Sequence, residues 1–242
     1  MKTSFRLLST ITLSILLASC KMDVEWGNSI KGDGNVVTES RNNDTPFTGI
    51  EVGRGLDLEI EQSTEKSITV IADKNLQNHI STDINDGILS ISCDANIRNA
   101  ESKKVIVKLP VITSIQVTSG ATAKGLGLIK NNNLDLVTSS AGEMKLQIEA
   151  ENVSIQTSSG STVKVKGKAL KVETQSSSGS NIEAQELMAN NIISEASSGS
   201  STDVYPIENL KADASSGASI NYHHTPKSID KSASSGGSVG GE

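Results

Sequence analysis

The sequence predicts an all-β protein whose C-terminal half is a single-stranded parallel β-helix, a solenoid with about 19 residues per coil. The first observation is a repeated Ser-Ser-Gly motif, whose third positions are 21, 19, 19, 20, 18 and 19 residues apart. Self-similarity at such a period indicates stacked repeats, each of which buries its apolar face against its neighbours. The second observation is an aromatic content of 2%, which suits a narrow interior of β-branched side chains better than a globular core. The third positions, which we expect to form structural turns, are Gly120, Ala141, Gly160, Gly179, Gly199, Gly217 and Gly236.

One repeat, residues 161–179, illustrates the predicted coil. Residues 162–166 and 170–174 alternate between apolar and polar side chains, as half-buried strands do. Gly167 and the Ser-Ser-Gly motif are predicted to form turns, because glycine adopts backbone conformations that are closed to other residues. Where Ala141 replaces the motif glycine, we expect a different turn. The side chains predicted to point inward are Val163, Val165, Leu170, Val172 and Thr174.

A single coil of this kind cannot be stable by itself. Each of its few aliphatic side chains contributes roughly 1.5–3 kcal/mol on burial, whereas ordering the backbone costs about 1–2 kcal/mol per residue. Stacking adds hydrogen bonds between coils, and stacked serine hydroxyls both donate and accept, so they can satisfy one another along the axis. We expect the open end of the stack either to fray or to pair with a second copy, which would give a homo-oligomer.

Residues 35–110 are predicted to form a β-rich N-terminal part of the domain, ahead of the repeats at residues 111–242. Apolar and polar residues alternate there as they do in half-buried strands. Asp86-Gly87 predicts a two-residue hairpin turn, because both turn positions tolerate a positive φ. Residues 74–80 fit one or two turns of helix.

Residues 1–19 are predicted to be a lipoprotein signal peptide. Lys2 and Arg6 precede an apolar stretch that is too short to span a bilayer. The four residues that end at Cys20 are similar to a bacterial lipobox, which implies lipidation of the Cys20 thiol; the alternative is an ordinary secretory signal with a chance cysteine. Several acyl chains, at about 0.8 kcal/mol per buried methylene, anchor a protein stably. Residues 20–34 would then be a lipid-anchored tether, which places the protein on the outer membrane, at its surface-exposed or its periplasmic face.

Charge and cysteine content restrict the partners. Removing residues 1–19 leaves 20 Lys and Arg against 28 Asp and Glu, a net charge of −8. No run of basic residues is interleaved with aromatic ones, so we expect neither a basic patch nor a nucleic-acid partner. Cys93 is the one cysteine besides Cys20, and its alternation with Leu89 and Ile91 predicts a buried, inert thiol.

No catalytic, metal-binding or cofactor-binding constellation is predicted, so we expect the chain not to be an enzyme. Asp57, Glu59 and Glu61 share one strand face opposite apolar residues, which favours solvated charges over catalytic acids. Adjacent strand residues point to opposite faces, so His223 and His224 cannot readily chelate one metal ion. Two alternatives stay open: a polysaccharide-acting β-helix enzyme, and a polymer-forming structural scaffold of the cell envelope.

A combination of motifs gives the chain a family resemblance. These motifs are residues 34–39 (GNVVTE), residues 47–52 (FTGIEV), the Asp86-Gly87 hairpin and the Ser-Ser-Gly repeats, in that order. Together they resemble the auto-transporter adhesin, head GIN domain family of Bacteroidetes lipoproteins. The resemblance implies a right-handed parallel β-helix, similar in shape to pectin lyases, with serine-glycine turns between its sheets. It also implies a role in cell adhesion through a host or cell-surface glycan or protein, with no established enzymatic residues.

Overall fold

The computed structural model describes residues 29–41 and 44–241, and within them it is almost entirely β-structure. The described residues form eighteen strands and one short 3₁₀ helix, Lys74–His79, which confirms the all-β prediction and the short helical segment. The strands are β1 (Ser29–Lys31), β2 (Val36–Ser40), β3 (Gly49–Val52), β4 (Asp57–Gln62), β5 (Ser67–Asp73), β6 (Ile80–Asn85), β7 (Ile88–Cys93), β8 (Asn96–Asn99), β9 (Lys103–Leu109), β10 (Ser114–Val117), β11 (Thr122–Thr138), β12 (Glu143–Thr157), β13 (Thr162–Ser176), β14 (Asn181–Ala196), β15 (Ser201–Ala214), β16 (Ser219–Tyr222), β17 (Ser228–Ala233) and β18 (Ser238–Gly241).

The long strands β11 to β15 are successive coils of a parallel β-solenoid, as the repeat predicts. Each pairs in parallel with the next, so equivalent residues of consecutive repeats lie side by side along the stack. The interior is therefore a set of aliphatic columns, and one of them consists of Leu134, Val153, Val172, Ile192 and Leu210, all buried.

Each Ser-Ser-Gly motif forms a tight turn between coils. In one of them the N–H of Ser161 donates to the carbonyl oxygen of Ser158 at 3.3 Å, and the two central residues, Ser159 and Gly160, have φ values of 54° and 68°. Two positive φ values around a hydrogen bond of this span define a type I′ turn. Neighbouring turns are also linked along the axis, since the N–H of Gly160 donates to the carbonyl oxygen of Ser178 at 3.1 Å.

The turn at Ala141 has the same geometry as the glycine turns, so the prediction of a different turn there is wrong. Ser140 and Ala141 have φ values of 51° and 60°, and the N–H of Gly142 donates to the carbonyl oxygen of Ser139 at 3.0 Å. A Cβ added at the equivalent Gly160 would meet no heavy atom within 4 Å. Alanine therefore fits into the turn, and it bears only the intrinsic backbone penalty of about 1–2 kcal/mol.

Four of the five predicted inward side chains of the 161–179 coil are buried, but Leu170 is wrong: its side chain is 54% exposed. Ala169 is buried in its place, and both Leu170 and Lys171 face outward before Val172 returns to the core. The strict alternation of a strand is interrupted there by a convex bend of the coil, which the periodicity argument does not anticipate.

The buried hydroxyls lie on either side of the Ser-Ser-Gly motif, whereas its second serine, such as Ser159, is exposed. Thr157, just before one motif, bonds through Oγ1 to Oγ of Ser180, just after the next motif, at 2.8 Å. Thr138 and Ser161 form the same pair at 3.0 Å. These bonds satisfy the polar atoms of the core between coils, so small hydroxyl residues replace large apolar ones without a desolvation penalty.

The stack begins before the first Ser-Ser-Gly motif. Strands β3 and β4 are joined by Gly53-Arg54-Gly55, where Arg54 and Gly55 have φ values of 56° and 70°. The N–H of Gly55 donates to the carbonyl oxygen of Ser119 at 3.0 Å, as in the other turns. Strands β3 and β4 pair in parallel with β10 and β11, and β7 and β9 pair in parallel with β3 and β4 on the other side.

Antiparallel strands close the N-terminal end of this stack. Strand β6 pairs antiparallel with β7 across the predicted hairpin, where Asp86 and Gly87 have φ values of 50° and 77°. Strand β5 pairs antiparallel with β9, and β2 with β5. This end therefore has a cap, which a purely parallel stack lacks.

Asp73, at the end of β5, stabilises this cap through hydrogen bonds. Its side chain is fully buried, and it accepts hydrogen bonds from the backbone N–H groups of Ser102 at 2.9 Å, Gly34 at 2.9 Å and Glu101 at 3.3 Å. Burial acts to raise the pKa of this carboxyl, but the backbone donors outweigh it and hold the pKa below the usual value. Gly32 passes so close that an added Cβ would lie 2.0 Å from the Asp73 carboxylate.

The C-terminal end of the described chain is open. Strand β17 pairs with β15 alone and β18 with β16 alone, and all six residues of β17 are exposed. The edge groups of these two strands therefore have no neighbouring strand among the described residues.

Candidate ligand-binding surface

The predicted lipidation site, Cys20, lies outside the described residues, as do the predicted signal peptide and most of the tether. Among the residues that the structure describes, no helix is long and apolar enough to cross a membrane. Cys93 is buried as expected, and burial raises the pKa of its thiol, which keeps it protonated and unreactive.

The acidic side chains of β4 form ion pairs or hydrogen bonds with residues of neighbouring strands. Glu59 pairs with Lys104 at 2.9 Å, Glu61 pairs with Lys108 at 2.7 Å, and Asp57 accepts a hydrogen bond from Thr122 Oγ1 at 2.9 Å. These carboxylates thus link adjacent coils, which is a structural role.

The two adjacent histidines contact different groups. His223 Nε2 lies 3.1 Å from Asp203 Oδ1, whereas His224 Nδ1 lies 2.8 Å from the carbonyl oxygen of Pro206. The His224 ring also stacks on Tyr205, with a centroid distance of 5.1 Å. Over residues 29–41 and 44–241, no three His, Cys, Asp or Glu side chains converge as metal ligands.

A column of lysines runs across the outer face of the stack. Lys124, Lys145 and Lys164 occupy equivalent positions of β11, β12 and β13, each four residues after the third position of a motif. Adjacent strands are about 4.8 Å apart, so these residues, far apart in sequence, are direct neighbours. Lys166, two residues further along β13, faces the same side. The expectation that the protein has no basic patch is therefore wrong, because the repeat brings together lysines that are isolated in the sequence.

The same column becomes acidic and then polar along the axis. Its next members are Glu183, Asp203 and Asn221. Glu183 binds Lys164 Nζ at 2.8 Å, and this hydrogen bond raises the pKa of Lys164. The ion pair between Lys164 and Glu183 therefore marks the change from basic to acidic residues along the column. The acidic residue beyond it, Asp203, is contacted by Asn221 and His223.

Two β-bulges flank the lysines. In β11, two extra residues stand between the pairs Lys124–Lys145 and Leu128–Gln147. In β14, one extra residue stands opposite the segment between Lys164 and Lys166. The bulged strands border a groove of about 280 Å³, which we call the lysine groove. Its charged and polar lining consists of four lysines, two glutamates and two glutamines: Lys124, Lys145, Lys164, Lys166, Glu183, Glu186, Gln147 and Gln185. The side chain of Leu126 is its exposed apolar part.

A second groove, of about 590 Å³, follows the turns themselves. It is lined by the first serines of the motifs and by an outward column of Gln156, Gln175, Glu195 and Asp213. The exposed parts of the turns contribute backbone and hydroxyl groups here, and no group of three potential metal ligands accompanies them among the described residues.

The fold and this exterior define a β-solenoid repeat protein, with regular columns inside and a patterned outer face. The chain belongs to the family described as "Putative auto-transporter adhesin, head GIN domain", whose sequence model matches residues 46–226. The family resemblance drawn from the sequence motifs is thereby confirmed.

Solved structures of similar shape come from related bacteria. A putative adhesin of Bacteroides fragilis has 20% identity and a TM-score of 0.82, and the match covers 88% of this chain and 100% of that one. A putative adhesin of Parabacteroides merdae has 18% identity and a TM-score of 0.73, covering 89% and 99%. A putative lipid binding protein of Parabacteroides distasonis has 20% identity and a TM-score of 0.72, covering 89% and 100%. At these identities the likeness establishes the fold. No curated protein sequence matches the chain.

Proposed function

We propose that this protein is a lipid-anchored adhesin of the bacterial outer membrane, which binds its target without catalysing a reaction. The observation that carries the proposal is the patterned outer face of a stack whose coils are held in register by parallel pairing over β11 to β15. Such an exterior presents side chains at fixed spacings along a rigid scaffold, which suits recognition of an extended partner. Membership of an adhesin family supports the same function.

Two features favour binding over catalysis. The hydroxyls beside the Ser-Ser-Gly motifs, such as Thr157 and Ser180, bond to one another in the core and are not available as nucleophiles. The clustered acids of β4 are engaged by lysines of β9, which favours a linking role over acid–base chemistry. A glycan-binding measurement combined with analysis of products tests this point. We expect the bound glycan to be recovered intact, and release of shorter sugars would contradict the proposal.

The lipid anchor is supported by the lipobox-like sequence that ends at Cys20. Replacing that residue removes the only acceptor for diacylglyceryl transfer in this motif. We expect Cys20→Ala to move the protein from the membrane fraction to the soluble fraction, whereas Cys93→Ala, the matched control, leaves it in the membrane. Membrane association that survives Cys20→Ala would contradict the anchor.

The open end of the stack favours a second candidate, a polymer-forming scaffold. Within residues 29–41 and 44–241, strands β17 and β18 each pair on one side only, so a second copy could extend the sheet. Light scattering of the purified chain over a range of concentrations separates the two. A concentration-independent monomer favours the adhesin, and growing linear assemblies favour the scaffold.

A further inference from the structure

The lysine groove lies where the solenoid departs from its regular repeat. The motif interval of 21 residues contains the bulge of β11, and the interval of 20 residues contains the bulge of β14. The two strands between them follow the regular interval of 19. Bulges that re-aim side chains are common beside functional sites. Two of them on one face, about three strand spacings or 14 Å apart, form the walls of a single groove.

The lysines of the groove outnumber its two carboxylates, Glu183 and Glu186, of which Glu186 lies in register with Lys166 without forming an ion pair among the described residues. Within the described chain, no carboxylate forms an ion pair with Lys124, Lys145 or Lys166, while Glu183 is held by Lys164. Glu59, which lies beside Lys124 in register, is held by Lys104. Like charges on adjacent strands destabilise a sheet. An anion between the lysines relieves that repulsion. Four lysines against Glu183 and Glu186 leave the groove with an excess of positive charge, which attracts an anion although the protein as a whole is negative.

Gln185 supplies an independent observation. Gln185 lines the groove, and its Oε1 atom is buried without a hydrogen-bond donor among the described residues. A buried acceptor without a donor costs about 1–3 kcal/mol, so a ligand that donates a hydrogen bond there gains affinity. A simple sulfate or carboxylate ion has no donor to offer. The ligand that fits both observations carries an anionic group and hydroxyl groups together.

We propose that the lysine groove binds an acidic sugar, a unit that bears a carboxylate or a sulfate, with its anionic group held by Lys145 and Lys166 and a hydroxyl donating to Gln185. This inference rests on the proposed adhesin function and names the ligand class. The exposed side chain of Leu126 on the β11 bulge offers an apolar surface for the C–H face of the sugar ring. Gln185 belongs to the β14 bulge, which is one wall of the groove, and its Oε1 atom is buried, so a flat membrane surface is not the matching shape.

Titration calorimetry on the full-length protein purified in detergent tests the assignment with three probes. These are a galacturonic acid trisaccharide, a heparin hexasaccharide and neutral maltotriose. We expect at least one acidic probe to bind ten times or more tightly than maltotriose. The double variant Lys145→Ala/Lys166→Ala should lower that affinity at least tenfold. The matched control is Lys211→Ala/Lys231→Ala, an exposed lysine pair on adjacent strands elsewhere, which should change it less than twofold. Gln185→Leu should weaken acidic-sugar binding about fivefold.

Several outcomes overturn the assignment. Both double variants could lose the same affinity, maltotriose could bind as tightly as the acidic probes, or neither acidic probe could bind. A fourth outcome is that phosphatidylglycerol vesicles bind through Lys145 and Lys166 while the acidic sugars do not bind. Acidic-sugar binding that survives the groove substitutions rejects this site and leaves the adhesin proposal intact. Shortened products of the probes reject the non-enzymatic function itself.

Discussion

At the third position of the Ser-Ser-Gly motif, where the other repeats have glycine, Ala141 adopts the same positive φ with a Cβ atom. Its φ of 60° lies in the left-handed region, which costs an L-residue about 1–2 kcal/mol relative to glycine. Glycine loses more backbone entropy on folding, which offsets part of this difference. We therefore expect Ala141→Gly to stabilise the protein by about 0.5–1 kcal/mol, measured by urea unfolding. A loss of stability would show that the Ala141 methyl group makes a favourable contact in the turn.

Gly167 depends on its missing side chain for a different reason. Its φ is 127°, and an added Cβ would lie 1.9 Å from the carbonyl oxygen of Ile148. The matched control is Gly160, which also has a positive φ but has open space around its Cβ position. Thermal unfolding should show a much larger decrease in melting temperature for Gly167→Ala than for Gly160→Ala. Equal decreases would contradict the steric explanation.

Asp73 makes the stability of the cap depend on pH. Its pKa is lowered in the folded state, so its stabilising effect is present above the unfolded pKa of about 3.9 and disappears as the pH falls through the folded value. Asp73→Asn should cost about 1–3 kcal/mol at neutral pH, because the amide cannot accept all three backbone donors. Below about pH 4 the difference from the wild type should shrink.

Urea unfolding at pH 7 and in acid measures that difference, with the exposed Asp83→Asn as the control. A cost of Asp73→Asn that stays constant between the two conditions would show that the folded carboxylate is not specially stabilised.

Among the elements, the two ends of the stack differ in protection. The N-terminal end is covered by antiparallel strands, whereas β17 is exposed and pairs only with β15 in the part of the chain that the structure describes. Hydrogen exchange measured by mass spectrometry should therefore show rapid exchange over residues 228–233 and slow exchange over β13, which is paired on both sides. Equal protection of the two segments would indicate that another chain covers the open end.

The sequence predicts the elements where a repeat or a turn has a clear local signature. Turns at Ser-Ser-Gly follow from its glycine, and the hairpin follows from Asp86-Gly87, because these residues tolerate positive φ. The type I′ geometry, with a positive φ at the second serine as well, is seen only in the structure. Gly53-Arg54-Gly55 forms the same kind of turn but lacks the serines, so the motif search misses it. Leu170 is misplaced because periodicity alone does not locate a bend.

The candidate site is harder to predict because it is formed between coils. Lys124, Lys145 and Lys164 are visible as a column only when the repeats are aligned on the motif and positions are counted from it. The irregular intervals of 21 and 20 residues mark the bulges, but they do not reveal on which face the bulges lie. The donors to Asp73 come from residues 28 to 39 positions away, which no local pattern indicates.

At the scale of the whole molecule, different residues of the solenoid stabilise the stack and form its outer surface. The motifs and their flanking hydroxyls hold the coils together, while the outward columns vary in charge along the axis. Substitutions at outward positions can therefore change the binding surface without changing the core, which is a property of repeat scaffolds.

Protease accessibility on intact cells tests the proposed adhesin function most directly, because an adhesin has to be exposed at the cell surface to reach its target. Antibody against the β-solenoid reports the protein before and after treatment of whole cells with proteinase K. A periplasmic protein serves as the control for membrane integrity. The account predicts loss of the solenoid signal from intact cells while the periplasmic control is retained. Protection of the solenoid until the outer membrane is permeabilised would contradict it.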